Sequence, residues 1–371
     1  MVLPSVEQNL DLTEDFKQRV IALGFAWVGV AKDEPLHPET AQLSAWVRQS
    51  HHGSMDYMAR TADVRCDPTH AGMLPQAQSI VVAAASYGGG SPNPDLGPGK
   101  IARYAHGRDY HAVLHRRLDK VARWLRQCGF ATRCAIDRLP VLERAWAQRA
   151  GVGFIGKNCC LIVPGLGSHV LIATLITAAP LRADMPIQSG CGTCRRCLDA
   201  CPTEAFVAPH QLDAKRCISY LTIEHRGAID ESLRGRIGDW FFGCDACQDA
   251  CPYNHGKAQQ SAAVDGLGPD ARWSQLTAAD FLSQPAEEVS QWLVGSALRR
   301  AGPESLARNA AMVLANTGDR RHLPVLHQAA NSHASAVVRE AASVAALQLE
   351  SRAEPKVLHP PVECGTIPAG D

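Results

Sequence analysis

CGTCRRCLDACP (residues 191–202) and CDACQDACP (residues 244–252) are two related stretches that decide the fold of the middle of this chain. The first carries four cysteines and ends in Pro202. The second repeats the last three of them and ends in Pro252, with Phe241 where a first cysteine would stand. Eight of the 14 cysteines of the chain lie in this region. Such a density of thiols in a chain without a secretory signal indicates a bound metal centre rather than disulfides.

The spacing Cys-x2-Cys-x2-Cys-x3-Cys-Pro is that of bacterial ferredoxins. In those proteins three thiolates of one loop bind one iron–sulfur cubane, and the fourth binds the other cluster of a pair. The lone Cys217 can fill the position that the second copy lacks, so that eight thiolates serve two [4Fe–4S] clusters. Zinc is the alternative, although zinc sites rarely combine this spacing with Cys-Pro ends. One predicted set is Cys191, Cys194, Cys197 and Cys251, and the other is Cys201, Cys217, Cys244 and Cys247.

Length and composition place limits on the rest of the chain. Its 371 residues suggest two or three domains, and a hydrophobic content of 46% with 20% charged residues excludes wholesale disorder. Lys+Arg and Asp+Glu are both 37, so net charge gives no reason to expect a generic polyanion binder. No run of 18 apolar residues and no signal peptide is present, which predicts no membrane span and a cytoplasmic location.

The sequence pattern divides the chain into three parts and a tail. Helical and strand patterns mix in the first part, whereas Ala-rich and Leu-rich helical patterns fill the third. In the third part Arg308-x-Ala-Ala-x-Val-x-Ala recurs at Arg339, which predicts a HEAT-like helical repeat. We therefore predict an α+β domain at 1–180, a ferredoxin-like two-cluster domain at 181–260, HEAT-like repeats at 261–352 and a flexible tail at 353–371.

Two motif matches do not fit their usual functions. The glycine loop at 151–158 resembles a nucleotide-binding loop, but a helical pattern precedes it where a strand is required, and Asn158 replaces the Ser or Thr of a P-loop. Asp109-x-His111 begins a cobalamin-binding signature, but Leu114 stands in place of its glycine. The sequence therefore predicts neither a nucleotide fold nor a cobalt-ligating histidine.

Charged residues leave alternatives open. Residues 101–149 contain 11 Arg or Lys against four Asp or Glu, which fits either a solvated helix face or a face for a polyanion. Asp137 fits either the N-cap of the following helix or a chemical role, and Glu143 fits a helix-surface charge or a partner for an arginine. A second basic group with the same two interpretations consists of Arg299, Arg300, Arg308, Arg320 and Arg321.

Several motifs in order resemble one known family. They are SMDYMARTADVRCDP (54–68), IARYAHGRDYH (101–111), IDRLPVLERAWAQRAGVGFIGKN (136–158), the double cluster motif and the helical repeats. Over about residues 10–350 the chain is similar to the epoxyqueuosine reductases. The resemblance implies an enzyme with cobalamin and two [4Fe–4S] clusters. Such an enzyme reduces epoxyqueuosine to queuosine at the wobble position of tRNA, the last step of queuosine biosynthesis.

The resemblance also implies a fold and a set of site residues. The first domain would be nitroreductase-like and would bind cobalamin without a protein ligand to cobalt. Asp137, in the matched motif I-D-x-x-P-v-l-E-R, would be the general acid, a role that favours a raised carboxyl pKa. The implied cofactor contacts are Arg60, Ala102 or its neighbour Arg103, Asp137, Lys157, Asn158, Ser168, Glu224, Gly243 and Asp245. Candidate substrate contacts are Tyr220, Thr222 and Arg226.

The implied partners are a tRNA anticodon loop, with its modified base splayed into a pocket, and an external electron donor such as a flavodoxin or ferredoxin system. A monomer is expected. Two other functions stay open from the residues alone. One is a cobalamin and iron–sulfur reductase of a small organic substrate, similar to a dehalogenase. The other is an electron carrier without catalysis that is joined to an interaction scaffold.

Overall fold

The computed structural model describes residues 6–88, 99–188, 190–256 and 262–352. The tail predicted for residues 353–371 lies outside the described residues. Within the four described ranges, no helix is long and apolar enough to cross a membrane.

The amino-terminal part mixes helices and strands, as its sequence pattern predicts. Leu114, Leu118, Val121 and Leu125 lie on one buried face of the longest helix of this part, because their spacing follows the helical period. The helices are α1 (Val6–Ala22), α2 (His37–Arg48), α3 (Asp56–Arg60), α4 (Ala62–Cys66), α5 (Tyr110–Gln127) and α6 (Glu143–Arg149). The strands are β1 (Trp27–Lys32), β2 (Ser79–Ser86), β3 (Lys100–Ile101), β4 (Thr132–Ala135), β5 (Phe154–Ile155), β6 (Leu161–Ile162) and β7 (Val170–Thr177).

Four of these strands form an antiparallel sheet in the order β1-β2-β7-β4. Strand β2 is buried along its whole length, and its residues alternate between two hydrophobic clusters. Val81 and Ala83 belong to the cluster that contains residues of α1 and α5, whereas Ile80 and Val82 belong to the cluster that contains Trp146 of α6. The sheet is therefore covered by helices on both faces, which explains why its central strand is apolar at nearly every position.

The cysteine-rich part has only short elements, and one of them joins it to the first part. Strand β10 (Trp240–Phe242) runs parallel to β3, with Phe242 beside Ile101. The other strands, β8 (Phe206–Ala208) and β9 (Gln211–Leu212), form a small hairpin. The helices of this part are α7 (Arg196–Asp199), α8 (Ile218–Ile223), α9 (Glu231–Arg234) and α10 (Ala246–Asp249).

The carboxy-terminal part is helical, as predicted. Its two copies of the Arg-x-Ala-Ala repeat lie in α13 (Gly302–Thr317) and α15 (Ala336–Ser351), and α15 packs against both α13 and α14 (Leu323–Ser332). The region begins with α11 (Ala278–Ser283) and α12 (Ala286–Trp292). Most of α13 is buried on all sides, as expected of a helix enclosed by other elements. A HEAT-like repeat stays a prediction, as does the nitroreductase-like assignment of the first part.

Arg308 of the repeat is a buried residue that binds main-chain carbonyl groups of the cysteine-rich part, and it does not belong to a basic surface. It is 1% exposed and donates to the carbonyl oxygens of Leu221 (2.6 Å), His225 (2.9 Å) and Gly227 (2.8 Å). Burial lowers the pKa of its guanidinium to about 10. The neighbouring Asn309 donates to two further carbonyl groups of the cysteine-rich part. Arg308 therefore does not belong with the arginines that could face a polyanion.

One hydrophobic core runs through all three parts. Its largest cluster includes Phe16, Phe241 and Leu349, one residue from each part. The boundaries predicted near residues 180 and 260 mark changes in sequence character, whereas the packed interior continues across them. The cysteine-rich part is thereby held rigidly against both neighbours.

Candidate active site and cluster sites

The first predicted set of cysteines surrounds one cavity. Its four free thiols line a space of about 350 Å³, together with residues that include Lys157 and Asn158. Burial, together with the neighbouring Cys251, Cys191 and Cys194, raises the pKa of the Cys197 thiol to about 11. A single zinc ion with sulfur ligands at about 2.3 Å leaves no such space between them. A cavity of about 350 Å³ lined by four thiols has room for a multi-atom cluster.

The second predicted set also comes together. Burial, with Cys217 and Cys201 nearby, raises the pKa of the Cys244 thiol. Cys217 precedes α8 and is drawn to the set from outside both motif copies, as the spacing argument expects. A ninth cysteine that the sequence did not single out, Cys160, forms a side-chain hydrogen bond with Cys247. Because this thiol touches a proposed cluster ligand, it belongs to the surroundings of the second cluster.

Asp137 lies in a tight turn between β4 and α6. Its φ of +51° is left-handed, a conformation that costs energy for a residue other than glycine and is enriched at functional sites. Its backbone N–H donates to Glu143 Oε1 at 2.9 Å, which holds the turn closed. Helix α6 begins at Glu143, with Leu142 at its N-cap and no side-chain cap. Asp137 is therefore not the N-cap of this helix, and Glu143 anchors the turn rather than an arginine.

The carboxylate of Asp137 faces solvent on one side and two proton donors on the other. Its side chain is 61% exposed. The Tyr110 hydroxyl donates to Oδ2 at 2.5 Å, and His111 Nε2 lies 3.7 Å from the same oxygen. Loss of water on its protein-facing side acts to raise the pKa of Asp137, but the hydrogen bonds from His111 and Tyr110 outweigh this and hold the pKa below its usual value. The resemblance favoured a raised pKa, so the free protein differs from that expectation.

His111 is the group beside Asp137 that keeps a proton at neutral pH. Its Nδ1 lies 2.7 Å from Asp109 Oδ1, and Asp109 also caps α5 by accepting from the His111 backbone N–H. Burial lowers the pKa of His111, but its two carboxylate partners outweigh burial and raise it to about 9. The Asp109-x-His111 motif therefore places a charged imidazole against the Asp137 carboxylate.

Glu143 is the second carboxyl group at the turn and behaves in the opposite way. Burial, and then the charge of Asp137, raise its pKa from 4.5 to about 8. It is therefore neutral at pH 7 in the folded chain and ionised in the unfolded chain. Because the folded-state pKa of Glu143 is raised, protonation of Glu143 stabilises the folded chain. This stabilisation is complete below pH 4.5 and is lost as the pH rises through about 8.

We expect Glu143→Gln to remove this loss. The amide keeps an oxygen that can accept from Asp137 N–H but cannot ionise, so the variant should gain stability over the wild type as the pH rises from 6 towards 9. Thermal unfolding of the loaded protein across this range measures the difference in midpoint. Glu340→Gln, on α15, is the control for an exposed carboxylate. Parallel curves for wild type and Glu143→Gln would contradict the raised pKa.

A group of small buried residues, here called the floor, packs against the aromatic rings beside Asp137: Ala102 is 1% exposed and Gly243 is buried. Gly243 has a φ of +70°, and a Cβ there would lie 2.6 Å from the Ala102 Cβ and 3.6 Å from the Tyr104 ring. Tyr104 in turn packs edge-on against Tyr110, with ring centroids 5.9 Å apart. The resemblance implies that cobalamin lies at this floor, against main chain and small side chains. Position 243 must be glycine, because any side chain there would collide with Ala102.

The other implied cofactor contacts have partners of their own. Asp245 is 2% exposed and accepts from the Arg103 backbone N–H at 2.8 Å and from its guanidinium at 3.2 Å. Burial raises the pKa of Asp245 to about 6.

The remaining implied contacts lie elsewhere. Ser168 donates to Gln248 at 3.0 Å. Arg60 ends α3 and is exposed. The structure brings Ala102, Asp245 and their neighbours to the floor, whereas Lys157 and Asn158 line the first cluster cavity.

The three candidate substrate contacts are bonded within the protein. Tyr220 is 7% exposed, and its hydroxyl lies 2.7 Å from the Ser54 backbone N–H. Thr222 is fully buried, donates to the Ile218 carbonyl at 2.7 Å and accepts from Gly243 N–H at 2.9 Å. These contacts argue against direct binding of substrate by either hydroxyl. Arg226 donates to the carbonyls of Ile223 and Arg300, both at 2.7 Å.

Two residues that sequence reasoning did not single out, Tyr57 and Arg65, lie beside Arg300. The guanidinium of Arg300 stands 5.7 Å from the centroid of the Tyr57 ring, and Arg65 stands at the same distance. Arg300 also makes two hydrogen bonds to Glu224, at 2.7 and 2.9 Å. The sequence signal that could have identified Tyr57 was its position in the matched MDYMAR segment. Glu224 is thus held by an arginine, and Arg300 is less available to a phosphate than Arg299.

Two family models match the chain. Residues 65–138 match the model described as epoxyqueuosine reductase QueG, DUF1730. Residues 190–254 match a 4Fe-4S double cluster binding domain, which confirms the prediction of an iron–sulfur domain from the cysteine spacing. The first match ends just beyond Asp137, and the second includes all eight predicted cluster cysteines.

Curated relatives match over most of their length. The epoxyqueuosine reductase of Gloeobacter violaceus is 38% identical over 311 residues, which cover 82% of this chain and 96% of the relative. The Escherichia coli enzyme is 36% identical over 314 residues, covering 82% of this chain and 81% of its own.

Solved structures give the same result. A crystal structure of epoxyqueuosine reductase with an epoxyqueuosine-modified tRNA-Tyr stem loop is 30% identical, covers 91% of this chain and 90% of its own, and superposes with a TM-score of 0.84. A Bacillus subtilis epoxyqueuosine reductase, described with its catalytic aspartate loop swung out of the active site, is 29% identical, covers 91% of this chain and 90% of its own, and gives a TM-score of 0.81.

Proposed function

The chain belongs to the epoxyqueuosine reductase family, and from this premise we infer that it reduces epoxyqueuosine in tRNA to queuosine with Asp137 as the proton donor. The observation that carries the role of Asp137 is its geometry. A solvent-facing carboxylate on a left-handed turn contacts both a tyrosine hydroxyl and a charged histidine. Anaerobic reaction with an epoxyqueuosine-modified stem loop, followed by mass analysis of the nucleosides, tests the activity directly.

Loss of the epoxide oxygen as water consumes two electrons and two protons. When bound, the two clusters and cobalamin supply one-electron transfer and low-potential reduction, which amino-acid side chains lack. The eight cysteines would hold the clusters, and the floor at Ala102 and Gly243 would support cobalamin. What remains for the side chains around Asp137 is to deliver a proton to the departing oxygen, which is a poor leaving group without one.

The proton reaches the substrate through a short chain of groups. Asp137 is ionised in the free protein because His111 and Tyr110 stabilise its charge. His111 holds a proton at neutral pH and touches Asp137 Oδ2. Entry of the carbocyclic ring that carries the epoxide would displace water from the exposed side of Asp137, which favours the neutral carboxylic acid. One proton can then pass from His111 through Asp137 to the substrate oxygen, with Asp109 stabilising the imidazolium beforehand, and solvent supplies the second proton of the water that leaves.

A single-stranded anticodon loop is the substrate form that this site can admit. A base in a paired stem is stacked and cannot reach into contact with the Asp137 carboxylate, whereas a loop base can be splayed out. The relatives argue against a small organic substrate and against a carrier without catalysis, because those that match over most of the chain are epoxyqueuosine reductases. A flavodoxin or ferredoxin system as donor, a cytoplasmic location and a monomeric state stay predictions.

We expect Arg299→Glu to weaken binding of the tRNA stem loop and to reduce the salt slope of binding by about one. Arg299 is exposed, and its side chain has no hydrogen bond or ion pair among the described residues, so its charge is available to a phosphate. Fluorescence anisotropy at several salt concentrations gives the slope. Arg182→Glu, whose guanidinium contacts Glu14 at 3.0 Å, is the control. An unchanged slope for Arg299→Glu would remove this face from the tRNA interface.

A further inference from the structure

The glycine loop at 151–158 matched a nucleotide motif but lies against the first cluster cavity. It follows α6, includes β5 and enters the turn of the β5–β6 hairpin, and its last two residues, Lys157 and Asn158, line the cavity with the four cysteines. Gly156 makes room for this arrangement, because a Cβ there would lie 2.8 Å from Asn158 Oδ1 and 2.6 Å from Ile162. The loop therefore serves the cysteine-rich part, although it belongs to the first part of the chain.

The side chain of Asn158 has one polar atom without a partner. Its Oδ1 accepts from the Cys160 backbone N–H at 3.2 Å, which fixes the orientation of the amide. The other end must then be the NH2 group, and this Nδ2 is buried with no hydrogen-bond partner among the described residues. The whole residue is only 4% exposed. A buried donor without an acceptor is costly, so its position on a cavity indicates an acceptor in that cavity.

Lys157 contacts the cluster loop from the same side. Its Nζ donates to the carbonyl oxygens of Gly192 at 2.7 Å and Cys194 at 2.9 Å. Its own carbonyl accepts from the His210 backbone N–H at 3.0 Å, which holds the loop from behind. The ammonium group thus fixes the turn that presents Cys191 and Cys194 and brings a positive charge to the edge of the cavity.

We propose that Asn158 donates a hydrogen bond to a sulfur atom of the cluster held by Cys191, Cys194, Cys197 and Cys251, and that Asn158 and Lys157 together raise the reduction potential of this cluster. Adding one electron to a [4Fe–4S] cluster adds one negative charge. Hydrogen bonds to the sulfur atoms and a nearby cation stabilise that charge, so the reduced form is favoured. The electron comes from dithionite in the test below and from the external donor in the working enzyme.

The test is a redox titration of the loaded enzyme, monitored by electron paramagnetic resonance. Asn158→Asp keeps the oxygen that accepts from Cys160 but replaces the donor with a second oxygen, and Lys157→Met removes the charge. In each variant the reduction potential of one of the two clusters should fall, and the potential of the other should not. At the wild-type midpoint the ratio of reduced to oxidised cluster should be at least tenfold lower, which corresponds to 59 mV. Asn331→Asp, an exposed change on α14, should move neither step.

The proposal is overturned if the ratio of reduced to oxidised cluster stays within twofold of the wild type in both variants. It is also overturned if the potentials of both clusters change by the same amount. The wild-type enzyme provides a second measurement if a variant loses iron. With asparagine labelled with ¹⁵N only at its side-chain amide, pulsed resonance on the reduced cluster should detect a coupled ¹⁵N nucleus, and its absence would also overturn the proposal. The inference rests on the iron–sulfur domain and not on the epoxide substrate. If the variants leave the reduction potential unchanged, the proposed reduction of epoxyqueuosine still stands.

Discussion

Asp137→Asn is expected to lower turnover of epoxyqueuosine in the tRNA stem loop by about 10²- to 10⁴-fold, the range for loss of a positioned general acid. The amide retains the size of the carboxyl group, and its oxygen can still accept from Tyr110. It cannot donate a proton as an acid. The variant also removes one of the two carboxylates that raise the pKa of His111, so this pKa should fall from about 9.

Single-turnover kinetics with pre-reduced enzyme measure this effect, because they separate proton delivery from the supply of electrons. Binding of the stem loop should change little, so the loss belongs in the rate constant and not in the dissociation constant. Asp119→Asn on α5 is a matched control, since Asp119 contacts Arg123 and Arg126 on the helix surface. Full turnover by Asp137→Asn would assign the proton to another group and refute the proposed role.

Cys217→Ala should remove one of the two clusters. The spacing argument gives this lone cysteine the place of a missing first ligand, and the structure brings it beside Cys201 and Cys244. Anaerobically reconstituted wild type should contain about eight iron atoms per chain and the variant about four. Turnover should fall below detection if the lost cluster lies on the path of the electrons.

Cys128→Ala is the control for this experiment, because Cys128 is an exposed free thiol at the end of α5. The double variant Cys160→Ala/Cys217→Ala tests whether the thiol that contacts Cys247 takes over as a ligand. Iron and sulfide analysis, with the visible spectrum, provides the measurement. A full complement of iron in the double variant would show that the second cluster has a different set of ligands.

Sequence predicted well those parts of this protein whose interacting residues lie close together in the chain. Cluster ligands recur at fixed short spacings because one loop must reach several irons of one cubane, so the motif identifies the site before any fold is known. The same holds for α5, where four leucine and valine positions follow the helical period and give its bounds at 110–127.

The surroundings of Asp137 could not be predicted in this way. Tyr110 and His111 precede it by 27 and 26 residues, and they meet it only through the antiparallel sheet and a left-handed turn. The lowered pKa of Asp137 and the raised pKa of Glu143 in the free protein depend on this meeting, and sequence reasoning expected no raised pKa at Glu143. Similarly, an arginine in a helix suggests a surface charge, and only the carbonyl groups of the cysteine-rich part explain why Arg308 is buried.

The pairing of β3 with β10 has a consequence for how the chain is made. The two strands lie about 140 residues apart in sequence, and Ala102 at the floor of the active site donates to Phe242 at 2.8 Å. During synthesis the amino-terminal half therefore emerges from the ribosome with one edge of its active site unfinished. Contacts so distant in sequence also close slowly. The pocket is therefore complete only after the cysteine-rich part has been made and has packed against β3, and a chain whose cysteine-rich part fails to fold also lacks this edge of the pocket.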